Sequence, residues 1–402
     1  METIIIREDL HKAAELLRQG SLVGVPTETV YGLAGNGLDE EAVRKIYEVK
    51  GRPEVKPLAL MVPDADEMER YCLDVPQEAK ALAARFWPGP LSIVLKARCD
   101  VVPEIVRAGG ETVSLRCPDH PMTLEALRLA GIPFAAPSAN PSGQPSPKTA
   151  EEVYRYFRGK IEAVIDGGAC GIGRESTILD MSRTPYRILR QGALGAEEIR
   201  RALAENLRVI GITGPSGCGK TTALKLLEEQ GALVLDCDAV YHELLETDGG
   251  LLDELDAAFP GTVRDGALDR AALGKIVFSD PEALSTLNGV THRRVIREVE
   301  TRLEDFAMAG GTLAALDAIE LISSGLSERC GLLVGILAEP ETRIRRIMAR
   351  DGIDRERAQL RVSAQKGDAY FIEHCDRILY NDGPMDKFTA KFLDMLRESN
   401  HG

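Results

Sequence analysis

Residues 211–222 read GITGPSGCGKTT. Gly214, Gly219, Lys220 and Thr221 fill the pattern G-x-x-x-x-G-K-[ST], in which glycines let the backbone wrap a phosphate. An apolar β-patterned run, RVIGIT, precedes the loop, and a helix-patterned run, TTALKLLEEQG, follows it. That order aims the free N–H groups of a helix start at an anion. The whole loop (Gly214, Pro215, Ser216, Gly217, Cys218, Gly219, Lys220, Thr221 and Thr222) is therefore expected to hold ATP. Lys220 should reach the β- and γ-phosphates, and the Thr221 hydroxyl should ligate Mg2+. Cys218 reads as a small filler within the loop. No N-K-x-D guanine-reading motif occurs, which counts against a GTPase. A loop of this kind follows the first strand of its domain, yet here two hundred residues stand before it, so a separate folded unit is expected ahead of it.

Composition supports two units. The chain has 402 residues, 44% of them hydrophobic and 28% charged, enough apolar content for more than one core. Its net charge of −14 is uneven: residues 1–206 carry 26 basic against 30 acidic side chains, and residues 207–402 carry 23 against 33. Neither half looks like a nucleic-acid grip, so weak or no direct nucleic-acid binding is expected. The eight cysteines show no C-x-x-C pair and no zinc-ligand spacing, which fits reduced thiols in a cytoplasmic protein. No uncharged apolar run reaches the roughly 18 residues of a membrane span.

Strand-like and helical patterns alternate throughout, giving an α/β fold class. SLVGVPTETVYGLAG, LALMV, PLSIVLKA, TVSLRCP, AVIDGG, STILDM and YRILRQG read as strands of the first half. EEAVRKIYEVKG and PMTLEALRLAG read as helices stopped by glycine, and GAEEIRRALAENL as the closing helix. Only about Asn206 and Leu207 separate that helix from RVIGIT, and the expected boundaries are 1–205 and 207–402.

In the second half, ALVLDCDAVYHELLE ends a strand with Asp236 and Asp238, one residue apart on the same side. They are either solvated turn residues or a base and a Mg2+ holder for phosphoryl transfer. Arg343, Arg346, Arg350, Arg357 and Arg361 fall on helices around a short turn. They form either a solvated basic face or a lid closing over phosphates. These stretches, with LDRAALGKIVFSDPEALSTLNGVTHRRVIREVE, LDAIELISSGL and ILYNDG, occur in the order seen in dephospho-coenzyme A kinases, and the resemblance spans about 207–396. It implies a P-loop kinase domain, with a parallel sheet flanked by helices, that transfers the γ-phosphoryl of ATP to the 3′-hydroxyl of dephospho-CoA. It also implies Asp238 as base, Asp236 and His292 on the acceptor side, and Arg350 and Arg361 as lid arginines. The family usually reads D-x-P-L-L-F-E-S-G where this chain has DAIELISSG. Ile319 thus replaces the proline and Ser323 the strand-end glutamate, with Asp317 retained and Glu320 a candidate substitute.

In the first half, VKGRPEVKPLALMV supplies Lys50, Arg52 and Lys56 among glycine and prolines, which suits ordered anion recognition. APSANPSGQPSP adds Ser138 and Asn140, GRESTILD adds Ser176, and ILRQGAL adds Arg190. Hydroxyls with Arg and Lys, and no nucleophile beside a base, suggest a site that aligns activated anions. The residues alone stop at an anion-binding α/β domain. VPTETVYGLAG, KGRPEVKPL, FWPGPLSIVL, SLRCPDHP, PSANPSG, GRESTILDM and ILRQGAL together resemble the YrdC-like threonylcarbamoyl-AMP synthase family over about 1–204. The resemblance implies a twisted open α/β sheet with a concave cavity. The implied reaction condenses threonine, bicarbonate and ATP into threonylcarbamoyl-AMP for tRNA modification, with release of pyrophosphate. It implies Thr29, Arg116 and Ser176 at threonine, and Arg52, Lys56, Thr112, Ser138, Asn140, Ser146 and Arg190 at ATP, with Lys50 and Arg52 acting in catalysis. Trp87 in FWPGP reads as a packing residue.

The expected partners are therefore small molecules (threonine, bicarbonate, ATP and dephospho-CoA), with tRNA-modifying proteins to receive the product. Two other readings stand beside this one. The first half could be an RNA-binding module, double-stranded RNA included, fused to a small-molecule kinase. Alternatively, one of the two domains is catalytically inactive.

Overall fold

The computed structural model describes residues 2–318 and 321–399. Two compact units emerge. One runs to Asn206 and takes in Met308–Gly310; the other holds Leu207–Ala307 and the residues from Gly311 onward.

The first unit is built on a ten-stranded mixed sheet. Its strands are β1 (Ile4–Ile6), β2 (Val23–Val25), β3 (Gly32–Asn36), β4 (Ala59–Met61), β5 (Leu91–Lys96), β6 (Thr112–Arg116), β7 (Phe134–Ala135), β8 (Ala163–Ile165), β9 (Thr177–Asp180) and β10 (Arg187–Arg190). They lie in the order β1-β8-β2-β3-β7-β4-β6-β5-β9-β10. Helices Leu10–Arg18 and Pro121–Ala130 cover one face, burying Ala13, Ala14, Leu17, Ala126 and Leu127 against Val23, Val25, Phe134 and Ile165. Each fully buried aliphatic side chain contributes roughly 2 kcal/mol of transfer free energy. Trp87 is buried and donates its Nε1–H to the Leu91 carbonyl at 2.7 Å, so its indole is spent on packing and on the start of β5.

Helix Glu40–Lys50 begins at Asp39, whose carboxylate accepts the Glu41 N–H, and ends at Gly51 in the left-handed region, φ 60°. That turn decides where two neighbours go. Lys50 still belongs to the helix and is buried, while Arg52 comes after the reversal and faces a cleft. A residue with a Cβ would hold this turn only under strain.

The second unit carries a five-stranded parallel sheet, formed by β11 (Arg208–Thr213), β12 (Leu233–Asp236), β15 (Leu313–Asp317), β16 (Leu332–Leu337) and β17 (Arg377–Tyr380), in the order β12-β15-β11-β16-β17. A small separate hairpin pairs β13 (Val263–Arg264) with β14 (Ala267–Leu268). The central β11 reads as a nearly continuous apolar run because it is covered on both faces. Helix Lys220–Glu229 packs Ala223 and Leu227 on it, and helix Met385–Glu398 adds Phe388 and Phe392. The glycine-rich loop leaves the C-terminal end of β11, where ligands bind in open parallel sheets. There β15 sets Asp317 beside Ile212 on one side and Asp236 on the other.

Gly214 opens the loop at φ 144°, and a Cβ there would lie 2.2 Å from the Ile336 carbonyl oxygen. Gly214→Ala is therefore expected to lower the stability of the second unit by about 2–3 kcal/mol and to abolish its ATP binding. A urea titration and ATP calorimetry check this. An unchanged midpoint with ATP still bound would mean that the loop can move aside.

Candidate functional sites

The site of the first unit begins in the connection between β2 and β3. Thr27 Oγ1 accepts the N–H groups of Thr29 and Val30, both at 3.2 Å, and donates to the Val30 carbonyl, so the loop is fixed by its own side chain. Behind it, at the end of β6, Arg116 donates through Nη2 to Glu28 Oε1 at 2.6 Å and to Thr29 Oγ1 at 2.8 Å. Both members of the ion pair are nearly buried, at 8% and 12% exposure, so removing one would strand the other's charge away from water. The second Glu28 oxygen accepts the Asp119 N–H.

Across the cleft, Arg190 donates through Nη2 to the Ser176 carbonyl at 2.8 Å and to its Oγ at 3.2 Å. Ser176 Oγ in turn meets Ser92 Oγ at 2.8 Å. Ser92 was not anticipated; it lies within PLSIVLKA, where alternation alone marks it only as a strand residue. Glu175, also not anticipated, accepts from Ser146 Oγ at 2.7 Å, and that bond holds its carboxyl below the usual range.

Of the anticipated residues, the structure brings Arg52, Arg116, Ser138, Ser176 and Arg190 to one concave lining. Thr29 stands behind Arg116, Ser146 behind Glu175, and Asn140 behind Ser138, whose Oγ donates to Asn140 Oδ1 at 2.6 Å. Thr112 starts β6 opposite Lys96 and Lys56 is exposed on its loop; neither joins the lining. Lys50 is buried as well, and its ammonium donates to the backbone carbonyls of Ser138 and Asn140. Burial, with Arg52 close by, lowers its pKa to about 7. Burial likewise lowers the pKa of Arg52 and Arg190. Arg52 Nη2 donates to the Pro57 carbonyl at 3.1 Å, while its Nε is buried with no hydrogen-bond partner.

In the second unit the phosphate loop is held from behind. Arg343 Nε donates to the Ser216 carbonyl, Arg346 Nη1 to those of Gly217 and Cys218, and Asn381 Nδ2 to that of Cys218, all between 2.9 and 3.3 Å. Gln365 accepts the Ser216 N–H and bridges back to Arg343. With its carbonyls taken up on the far side, the loop can present N–H groups to a phosphate. Lys220 Nζ rests on the Gly214 carbonyl at 3.1 Å. Arg343 and Arg346 are thus neither a solvated face nor a lid; Arg343 is 4% exposed and braces the loop. Arg350 reaches the phosphate cleft, which also gathers Lys220, Thr221 and Asp317. Arg361 stays off that lining, and both arginines are paired to the half-buried carboxylate of Asp351.

Asp236 and Asp238 are not two acids on one strand side. Asp236 ends β12 and caps the next helix, Cys237–Thr247, its Oδ1 accepting the N–H groups of Asp238 and Ala239. The chain turns into a helix at once, which puts Asp238 in the first helical turn, where it lines a largely apolar cleft with Tyr241, Asn288, Thr291 and His292. Asp317, at the end of β15, has a buried Oδ1 with no hydrogen-bond partner. Burial raises its pKa to about 6, Lys220 opposing and the two neighbouring aspartates adding to the shift. Ser323, in the place of the usual glutamate, faces the loop beside Lys220 and Gln365, while Ile319 and Glu320 lie outside the described residues. No described helix is long and apolar enough to cross a membrane.

Two family models match the chain. The Sua5/YciO/YrdC model, described as telomere recombination, matches residues 15–192, and the dephospho-CoA kinase model matches residues 208–387. Over 193 residues, 48% of this chain, the sequence is 48% identical to the threonylcarbamoyl-AMP synthase of Pyrococcus abyssi. It is 35% identical to that of Pseudomonas savastanoi over 43% of this chain and 92% of the relative. A dephospho-CoA kinase from Symbiobacterium thermophilum is 35% identical over 46% of this chain and 78% of its own length. The chain spans 56% of the Pyrococcus abyssi protein. Through its first half the chain belongs to the threonylcarbamoyl-AMP synthase family, and through its second half to the dephospho-CoA kinase family.

Proposed function

We propose that the chain carries two ATP-consuming activities, one in each unit. In the first, threonine amine and bicarbonate join as a carbamate with loss of water. A carbamate oxygen then attacks the α-phosphorus of ATP, the bond to the bridging oxygen breaks, and pyrophosphate leaves. The observation that carries this reading is the buried, unpartnered Nε of Arg52 in a cleft also lined by Arg116 and Arg190. Three guanidiniums gathered in one cleft suit a site that neutralises charge building on phosphates and holds a carboxylate. Arg116, oriented by Glu28 and Thr29, is the candidate for the threonine carboxylate, with Ser176 and Ser92 nearby for its hydroxyl.

In the second unit the 3′-hydroxyl oxygen of dephospho-CoA attacks the γ-phosphorus, the bond to the β-phosphate oxygen breaks, and ADP leaves. Asp238 takes the hydroxyl proton, its neighbour Asp236 being committed to the helix cap. Lys220 and the loop N–H groups offset the phosphate charge.

Mg2+ is implied by this chemistry, and the residues fit it. Thr221 offers a hydroxyl and Asp317 an unsatisfied carboxylate oxygen in the same cleft. Among the described residues no cluster of three His, Cys, Asp or Glu side chains could cage a metal, as suits an ion held mainly by phosphates and water. Thr221 and Asp317 would hold the ion, which would supply positive charge to offset that on the phosphates.

The intact chain, supplied with threonine, bicarbonate and ATP, should release pyrophosphate, and Arg52→Ala should lower the rate by about 10²–10³-fold. Supplied with dephospho-CoA, ATP and Mg2+, it should form CoA, and Lys220→Ala should abolish this. Asp238→Asn should cut turnover by about 10²–10⁴-fold. Asp236→Ala should instead cost mainly stability, about 1 kcal/mol for a lost cap. Products equal to those of the variants would remove the corresponding activity.

Asp317 gives a prediction on pH. Its folded pKa lies above the ordinary carboxylate value, so the folded state holds the extra proton between about pH 4 and 6. Its contribution to stability is therefore greatest below that window and is lost as pH rises through 6. At pH 7, Asp317→Asn should raise the stability of the second unit by on the order of 2 kcal/mol while weakening Mg2+-dependent ATP binding. A urea midpoint unchanged at pH 7 would refute the first part.

A further inference from the structure

Lys50 and Asn140, the first and last members of the K-x-R and S-x-N pairs, are both buried and neither joins the lining that Arg52 and Ser138 share. Lys50 is 4% exposed, and its ammonium is bound to the Ser138 and Asn140 carbonyl oxygens. Its own carbonyl accepts the Ser142 N–H at 2.8 Å, so one residue ties the 138–142 loop at three points. Asn140 closes the same loop from inside, accepting from Ser138 Oγ and donating through Nδ2 to the Pro141 and Gln144 carbonyls at 3.0 and 2.6 Å. On the other side the loop is stitched to β3: the Leu33 N–H donates to the Pro137 carbonyl, and the Ala139 N–H to that of Tyr31.

We propose that Lys50 is a positioning residue rather than a phosphate ligand: its ammonium clamps the 138–140 backbone so that Ser138 is presented to the substrate beside Arg52. This rests on the reading of that cleft as the ATP and threonine site. The paired signature then divides by job, Arg52 and Ser138 facing the ligand and Lys50 and Asn140 holding the wall. The Gly51 turn is what lets two residues so close in sequence face opposite ways.

The test compares amine acetylation of Lys50 and Lys56 in the intact, unsubstituted chain, with and without ATP. A clamp with two hydrogen bonds in a buried setting should react at least about tenfold more slowly than exposed Lys56, and ATP should leave its rate unchanged. A lowered pKa would by itself speed acetylation, so protection reports the burial and the bonds. Lys50 labelled as fast as Lys56 in the free protein, or slowed only by ATP, overturns the proposal.

Two variants add a second reading. Lys50→Met should speed amide exchange at residues 138–144 in the ligand-free protein, and Lys50→Arg should restore much of the protection. In pyrophosphate release, Lys50→Met combined with Ser138→Ala should fall within about threefold of the worse single variant, because both act through one hydroxyl. Fully multiplicative losses, or exchange unchanged in Lys50→Met, overturn the clamp. Acetylation of the free protein and amide exchange need no turnover. A chain that releases no threonine-dependent pyrophosphate would remove the assignment of the cleft while those measurements still decide the clamp.

Discussion

A backbone loop that is to face a phosphate must turn its carbonyl oxygens elsewhere, because each carries partial negative charge, and something must hold them there. Both units meet this constraint with cationic or amide side chains placed behind the loop. In the second, Arg343, Arg346 and Asn381 take the carbonyls of Ser216, Gly217 and Cys218. In the first, Lys50 takes those of Ser138 and Asn140. The glycines of GPSGCGKT make the loop conformation accessible; the side chains behind it make that conformation the populated one.

Each cleft also retains a buried polar atom of a charged side chain that has no hydrogen-bond partner. Arg52 Nε and Asp317 Oδ1 are both buried without a partner, opposite in sign and each beside the residues expected to meet phosphate. An orphaned buried polar atom costs stability, and sites that bind ions are where such a cost is tolerated. Asp317 faces the side where Lys220 can offset its charge, and Arg52 the cleft shared with two further guanidiniums.

The sequence carried the strands and helices well, because their apolar periods and glycine stops are local properties: Gly51 and Gly131 end their helices in the left-handed conformation that glycine tolerates. The site was legible less evenly. Arg52, Arg116, Ser138, Ser176 and Arg190 do share a lining, but Lys50, Thr29, Asn140 and Ser146 sit one layer back. A motif marks which residues belong together without telling which of them face the ligand. Asp236 and Asp238 show the same limit: the spacing of two suggested one strand face, and the capping bond of Asp236 turned the chain between them.

By itself, then, the sequence determined that there are two α/β units, that one holds a phosphate loop between a strand and a helix, and that no global positive field is available for nucleic acid. These follow from composition, from periodicity and from glycine's freedom at positive φ. Only the tertiary structure decided the roles inside each cleft. Arg343 and Arg346 lie far along the chain from the loop they brace, and Lys50 lies nearly ninety positions from the carbonyls it holds. Such contacts are set by the order of strands in the sheets, so no local window contains both partners.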